Sequence, residues 1–428
     1  MSARAVAARI AARPGAAALA ASVLVLSIYA LLRGQADWHK VYVDGARAFW
    51  AGADPYAAGL GFVYPPGALL LGLPLVAAPA GIARLAYVAV NAAALFALWI
   101  HAWRLSGGTP GDGWSRRDTV VAAFGCLVGA RFVTDVLEHQ QTDIVVVALV
   151  AAAGGLAWRE RWTVAGLCCG IAAAIKATPL IVLGYFVLRR RWGAAAAMVA
   201  ALLAASLLPD LIAPAPGGRP WLAHWLDGIV RAPLLGDALG HWFTVPVLNQ
   251  SLPGTLFRLV MLQWPATVAD HFGVGIAAVP PPVAPGQFAA LARAAQVAVV
   301  ALGFAAIAWQ HWGGRRALAG TAPAPGFDTA ILLLLMVLAS PASSKPHFLA
   351  TLPAALCLAR EAIVAHDRRA FASVAAAALL MTFSNRSLVG RAIGEPMQWA
   401  GAITWAAVIL LAGCAAVMVR RGGGRREA

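Results

Sequence analysis

Charge is scarce in this chain. Only 12% of its 428 residues are charged and only 18 are acidic, while 61% are apolar and the mean hydropathy is positive. That balance excludes an ordinary soluble protein and fits a polytopic membrane protein. Cysteine is scarce too. Cys126, Cys168, Cys169, Cys357 and Cys414 all fall in apolar stretches. Apart from one vicinal pair they lack metal-site spacing and read as small packing residues. No His/Cys/carboxylate spacing argues for a metal, and no glycine loop of the phosphate-cradling kind occurs, so no cofactor is expected. No convincing inverted or parallel repeat is visible, which counts against a secondary transporter or flippase. The formal net charge of +15 would suggest nucleic acid in a soluble protein. Here the basic residues come in short runs between apolar spans. They read as topology signals facing anionic lipid, so the expected partners are membrane lipids and not nucleic acid.

The runs give an orientation. Arg4, Arg9 and Arg13 precede an apolar run at residues 15–32, which puts the N-terminus in the cytoplasm and the next loop outside. Further crossings are expected near 83–103, 119–134, 144–158, 194–208, 287–309, 327–338, 348–364, 370–383 and 399–419. Residues 67–79 are apolar but short and proline-flanked, and read as a dipping segment. Arg159 and Arg161 lie at one end of the stretch 163–188 and Arg189, Arg190 and Arg191 at the other, so both ends favour the cytoplasm. Two short helices folded at Lys176-Ala-Thr-Pro179 resolve the conflict, because proline disfavours helix at the residue before it. Lys176 would then sit at the outer tip. The expected fold is an all-α membrane protein of about twelve transmembrane helices, one integral domain over residues 1–428, with both termini cytoplasmic. The outer loops expected to be long are residues 33–66 and 209–286, the second with short amphipathic helices, and shorter ones are expected at 138–143, 340–347 and 385–387.

Drawn this way, the unusual polar groups gather outside. The loop after the first span carries Asp37, Asp44 and Asp54 in a chain with few carboxylates. If its first part is helical, Asp37 and Asp44 lie two turns apart on one face. Gln141 and Asp143, Lys176, Asn249 and Gln250, and Lys345 with His347 fall at the same side. A carboxylate beside a cationic, hydrogen-bonding pocket suits an anionic lipid headgroup and a hydroxyl to be activated.

Several short elements in order resemble a known family. They are Asp37 followed by Val41-Tyr42 and Gly52; Gly52-Ala-Asp54-Pro-Tyr56; Tyr64-Pro-Pro66; Ala165-Gly166, Gly170, Lys176-Ala-Thr-Pro179 and Arg191-Trp192; and Ser340-Pro341 with His347 following. The chain resembles the integral membrane glycosyltransferases of the GT-C superfold, most closely family 87, the polyprenol-phosphate-mannose-dependent α-mannosyltransferases. Two elements depart from the family pattern: Gln140-Gln-Thr-Asp143 stands where Gly-Gln-x-Asn is usual, and Ser343-Ser344 where Ser-Trp is common.

The resemblance implies transfer of a sugar, most often mannose, from a polyprenyl-monophosphate donor to an acceptor hydroxyl, with inversion to an α linkage at the outer face of a bacterial-type cell membrane. It makes Asp37 the expected catalytic base, with Asp44 as alternate. Lys176, His347 and Lys345 are expected at the donor phosphate. Tyr64, Gln141, Asp143, Asn249 and Gln250 are expected at the sugar or acceptor. The acceptor is a lipid, glycan or other hydroxyl compound. A GT-C enzyme using another lipid-linked sugar, of the arabinose or aminoarabinose type, is the alternative.

Overall fold

The computed structural model describes residues 14–32, 37–56, 61–109, 114–231, 247–261, 283–313 and 325–423. Arg4, Arg9, Arg13, Arg315 and Arg316, and residues 232–246 and 262–282 of the expected long loop, lie outside the described residues. Among the described residues every regular element is helical. Six helices are long and apolar enough to cross a membrane: Ala80–Leu105, Arg116–His139, Trp192–Ile212, Pro285–His311, Lys345–Val364 and Ala402–Arg421. Shorter apolar helices accompany them, among them Asp143–Trp158, Trp162–Ile175 and Thr178–Leu188. The chain is an integral membrane protein, and it divides into two compact units.

The first unit comprises Met1–Ala123, Ala130–Gly228 and Ala324–Thr329. It contains α1 (Pro14–Leu32), a π-helical turn (Trp38–Val43) running into α2 (Asp44–Trp50), α3 (Ala80–Leu105), most of α4 (Arg116–His139), α5 (Asp143–Trp158), α6 (Trp162–Ile175), α7 (Ile181–Leu188), α8 (Trp192–Ile212) and α9 (Trp221–Trp225). Helix α4 starts at a capping box, with the Ser115 side chain accepting from Asp118 N and Asp118 accepting from Ser115 N. It ends at Gln140 in the left-handed region, φ 53°. Three residues later α5 begins with Asp143, an acidic side chain at a helix N-terminus. This tight connection fixes where Gln141 and Asp143 emerge.

The stretch after Arg161 breaks where Pro179 predicts. Helix α6 stops at Ile175, Lys176 is extended (φ −150°, ψ 124°), and a 3-10 turn leads into α7. The basic ends of the stretch come together. Arg191 pairs with Glu160 at 3.0 Å and lies 4.3 Å from the Trp162 ring centroid. Helices α6 and α8 run parallel in close contact. A Cβ on Gly166 would meet Ala194 O at 2.2 Å, and one on Gly170 would meet Met198 O at 2.4 Å. This is the small-residue approach that lets membrane helices pack by backbone contact. The Tyr64-Pro-Pro-Gly67 turn is wedged in likewise: a Cβ on Gly67 would lie 2.9 Å from Ala174 O.

The second unit comprises Phe124–Gly129, Ile229–Pro323 and Ala330–Ala428. Its helices are α10 (Leu252–Met261), α11 (Pro285–Ala308), the greater part of α12 (Pro325–Leu338), α13 (Thr351–Val364), α14 (Arg368–Phe383), α15 (Arg391–Trp399) and α16 (Ala402–Gly423). Residues 124–129 of α4 belong to it because Gly125 and Gly129 abut Leu356 and Leu352 of α13. At one end of this unit Arg420 and Arg421 pair with Asp367 and Glu361. The opposite end is a buried polar lattice built around Arg258.

Candidate active site

In the first unit the expected residues converge around the loop that follows α1. Trp38 anchors that loop: its Nε1 donates to Ala83 O at 3.0 Å, and its ring packs on Tyr42 and Tyr87. Tyr42 is wholly buried, with its hydroxyl 2.9 Å from Thr142 Oγ1 and its ring stacked on Tyr64 at 4.9 Å. Burial pushes the Tyr42 hydroxyl well above its usual titration range, so it stays a neutral hydrogen-bonding group. The Tyr87 hydroxyl lies 3.1 Å from the carbonyl oxygens of both Val136 and Gln141, which pins the α4–α5 connection against α3.

These anchors deliver the chemistry. Gln141 Nε2 donates to Asp37 Oδ2 at 2.9 Å across 104 residues of chain. One carboxylate oxygen is thereby oriented, and the half-buried Asp37 keeps its second oxygen for other work. Lys176 Nζ donates to Asp143 Oδ1 at 2.8 Å and lies 5.8 Å from the Tyr64 ring centroid. Asp37 is within electrostatic range of Lys176. A second carboxylate, a lysine and stacked tyrosines thus surround a fixed carboxylate at the end of an apolar helical unit. Asp143 thus sets a carboxylate against Lys176.

Asp37 and Asp44 have different surroundings. Asp44 binds Arg47 at 2.7 Å and lies 3.9 Å from His39, while Arg47 also donates to Val76 O. The residues between the two aspartates form a π turn, not an α-helix. A π turn winds less per residue, so a seven-residue separation no longer makes two α-helical turns. The expectation of one shared α-helical face is corrected on that ground. Asp54 Oδ1 accepts from Tyr56 N at 2.9 Å and shapes the turn that the Asp-Pro-Tyr element predicts.

The remaining expected residues belong to the second unit. Asn249 Nδ2 donates to Pro341 O, and its Oδ1 accepts from Ser251 N and Ser343 N. Gln250 Nε2 donates to Val247 O and Gln398 O. Asn249 fastens the 247–251 loop to the Pro341–Ser343 turn, and Gln250 ties it to Gln398. Lys345 opens a 3-10 turn, and His347 Nδ1 accepts from Ser344 N at 2.8 Å, which leaves the ring's proton on Nε2 when neutral. Arg258, wholly buried on α10, escaped sequence reasoning. It donates to Trp399 O, Asn249 O and Thr255 Oγ1 and holds this lattice together. Its only signal in the sequence is an arginine inside a short apolar helix.

The fold is that of a helical membrane protein with a polar cluster at one end of its first unit, and the comparison of sequences gives its class. The sequence model of glycosyltransferase family 87 matches residues 62–341. The chain belongs to that family. It is 27% identical over 368 residues to a polyprenol-phosphate-mannose-dependent alpha-(1-2)-phosphatidylinositol mannoside mannosyltransferase of Mycolicibacterium smegmatis, covering 80% of this chain and 73% of the relative. It is 29% identical over 201 residues to a polyprenol-phosphate-mannose-dependent alpha-(1-2)-phosphatidylinositol pentamannoside mannosyltransferase of Mycobacterium tuberculosis, covering 47% of this chain and 43% of the relative. A pentamannoside mannosyltransferase of M. smegmatis matches at 28%, over 51% of this chain and 49% of its own length. No solved structure matches.

Proposed function

We propose that this protein transfers mannose from a polyprenyl-monophosphate donor to a hydroxyl of a lipid-linked mannoside, at the outer face of a bacterial cell membrane. The observation that carries the reading is the Asp37 carboxylate held by Gln141 beside the Lys176–Asp143 pair in a family 87 chain. Asp37 takes the proton of the acceptor hydroxyl. The hydroxyl oxygen bonds to the anomeric carbon from the face opposite the leaving group. The bond from that carbon to the phosphate oxygen breaks, and polyprenyl phosphate departs with the electron pair. A β-linked donor gives an α-linked product. Lys176 stabilises charge on the departing phosphate as a point charge, with Tyr64 and Asp143 shaping the sugar subsite. Lys345, His347, Asn249 and Gln250 keep their assignments to donor phosphate and to sugar or acceptor on the strength of the motif resemblance.

The orientation belongs to the same proposal: about twelve crossings counting the short helices, both termini cytoplasmic, and the Asp37 loop outside. It is supported within the first unit by a separation of charge. Asp37, Gln141, Asp143 and Lys176 share one end of the helices, and Arg104, Arg159, Arg189 and Arg191 share the other.

Asp37→Asn and Asp44→Asn test the chemistry together. The first keeps the side chain's shape but cannot accept a proton, so turnover falls by about 10²–10⁴ with normal expression and retained donor binding. The second loosens the contacts to Arg47 and His39 and is milder. Loss of turnover in Asp44→Asn with Asp37→Asn largely active would move the base to Asp44. Full activity in both would remove the acidic loop from the chemistry.

A further inference from the structure

The far end of the first unit holds a second polar site. Helix α3 starts beside Trp38 and α5 starts with Asp143, so both run away from the Asp37 cluster. From Ala83 to His101 is about 27 Å along the helix. There the last turns of α3 and α5 and the Gly107-Gly108 turn enclose a cavity of about 380 Å³. His101, Arg104 and Arg159 line it, with Thr109 and Trp158 among the other lining residues.

The sequence builds this cavity by omission. Gly155 lies against the imidazole: a Cβ there would come 3.1 Å from His101 Nδ1, so a larger residue would push the ring into the cavity. Gly108 lies on the Trp103 indole, where a Cβ would meet ring atoms at 2.3 Å. Trp103 itself is stacked between Trp99 and Trp114. The charge is not balanced locally. Among the described residues neither Arg104 nor Arg159 makes a side-chain hydrogen bond or ion pair. Glu160, next in the chain, is committed to Arg191 and Trp162. Two arginines and a histidine therefore line one concave space, and among the described residues no carboxylate lines it. Arginine pairs recognise phosphate oxygens through charge-assisted hydrogen bonds.

We propose that this cavity binds the phosphate headgroup of an anionic phospholipid. Phosphate is the ligand chemistry, and the rim selects its source. Trp158 is 49% exposed at the mouth, and an exposed indole at the end of an apolar helix belongs at the headgroup level of a bilayer. The volume exceeds what a bare phosphate needs and falls in the range of small-ligand sites. Basic clefts between membrane helices hold anionic headgroups in this manner. This site is separate from the donor chemistry at Asp37 and does not depend on it.

The test is native mass spectrometry and lipid titration of the full-length protein in detergent, with dioleoyl-phosphatidylglycerol, dioleoyl-phosphatidylcholine and inorganic phosphate as probes. Phosphatidylglycerol should bind in preference to phosphatidylcholine, and millimolar phosphate should not displace it. Binding should weaken about fivefold for each arginine removed and about thirtyfold in Arg104→Gln/Arg159→Gln. Arg116→Gln/Arg117→Gln removes equal charge from exposed residues that do not line the cavity, and should leave binding unchanged. Arg159→Gln alone strips an exposed side chain and keeps the test open if the double variant fails to fold. Equal binding of both lipids, unchanged binding in Arg159→Gln, or an equal loss in the Arg116/Arg117 variant would overturn the site. Displacement by inorganic phosphate would make the ligand a free anion and overturn the lipid assignment.

Discussion

Replacing Lys176 by methionine separates structure from chemistry at this site. Its ammonium is 2.8 Å from Asp143 Oδ1, and the two side chains are only 10% and 5% exposed. At that distance the mutual attraction is about 6 kcal/mol for an effective dielectric of about 20. Stripping water from each ion costs several kcal/mol, so the intact pair contributes little net stability. Breaking it is different. Lys176→Met leaves Asp143 buried without its cation, at a cost of about 3–5 kcal/mol. Thermal unfolding in detergent should show a clearly lower midpoint. Lys176→Met/Asp143→Leu removes both charges and should recover most of that stability. Turnover should not recover with it. If Lys176 contacts the departing phosphate, losing a hydrogen bond to a charged group costs about 1.5–3 kcal/mol, roughly ten- to hundredfold in rate. A single variant as stable as the wild type would refute the pair's structural role. A double variant that regains full turnover would reduce Lys176 to an internal anchor.

Two further outcomes follow from the packing and the orientation. Gly170→Leu forces side-chain atoms into the main chain of Met198 and should destabilise by about 1–3 kcal/mol, whereas Gly81→Ala, which meets nothing within 4 Å, should be silent in the same thermal assay. A single cysteine at Asp54 should label with an impermeant thiol reagent on intact cells and one at Arg116 should not; the reverse pattern would put the donor chemistry in the wrong compartment.

Much of the architecture was legible because the bilayer constrains sequence so strongly. Apolar runs and arginine placement anticipated the long helices, and Pro179 between two basic ends anticipated the break at Lys176. The loop residues after α1 stood out because carboxylates are rare in this chain, and Asp37 there does meet Gln141. What the sequence concealed was pairing. Nothing local says that Gln141 orients Asp37 from 104 residues away, or that Lys176 takes Asp143 as its partner. Those choices are made by the Tyr87 contact to the α4–α5 connection and by the wedge at Gly67. The π turn between Asp37 and Asp44 was equally hidden, since no residue type marks an extra residue in a helical turn. Arg258 reads in sequence as a lone charge in a short apolar helix. Only the carbonyls that converge on it explain its complete burial.

Mannose transfer from a polyprenyl-phosphate carrier with Asp37 as the base stands or falls on one assay. The most direct measurement incubates the purified protein with polyprenyl-phosphate [14C]mannose and a phosphatidylinositol mannoside acceptor, beside the Asp37→Asn variant. A labelled, α-linked product is expected from the wild type and almost none from the variant, and transfer through Asp37 is the reading at stake. It is contradicted if the wild type ignores this donor, or if Asp37→Asn forms product at the same rate.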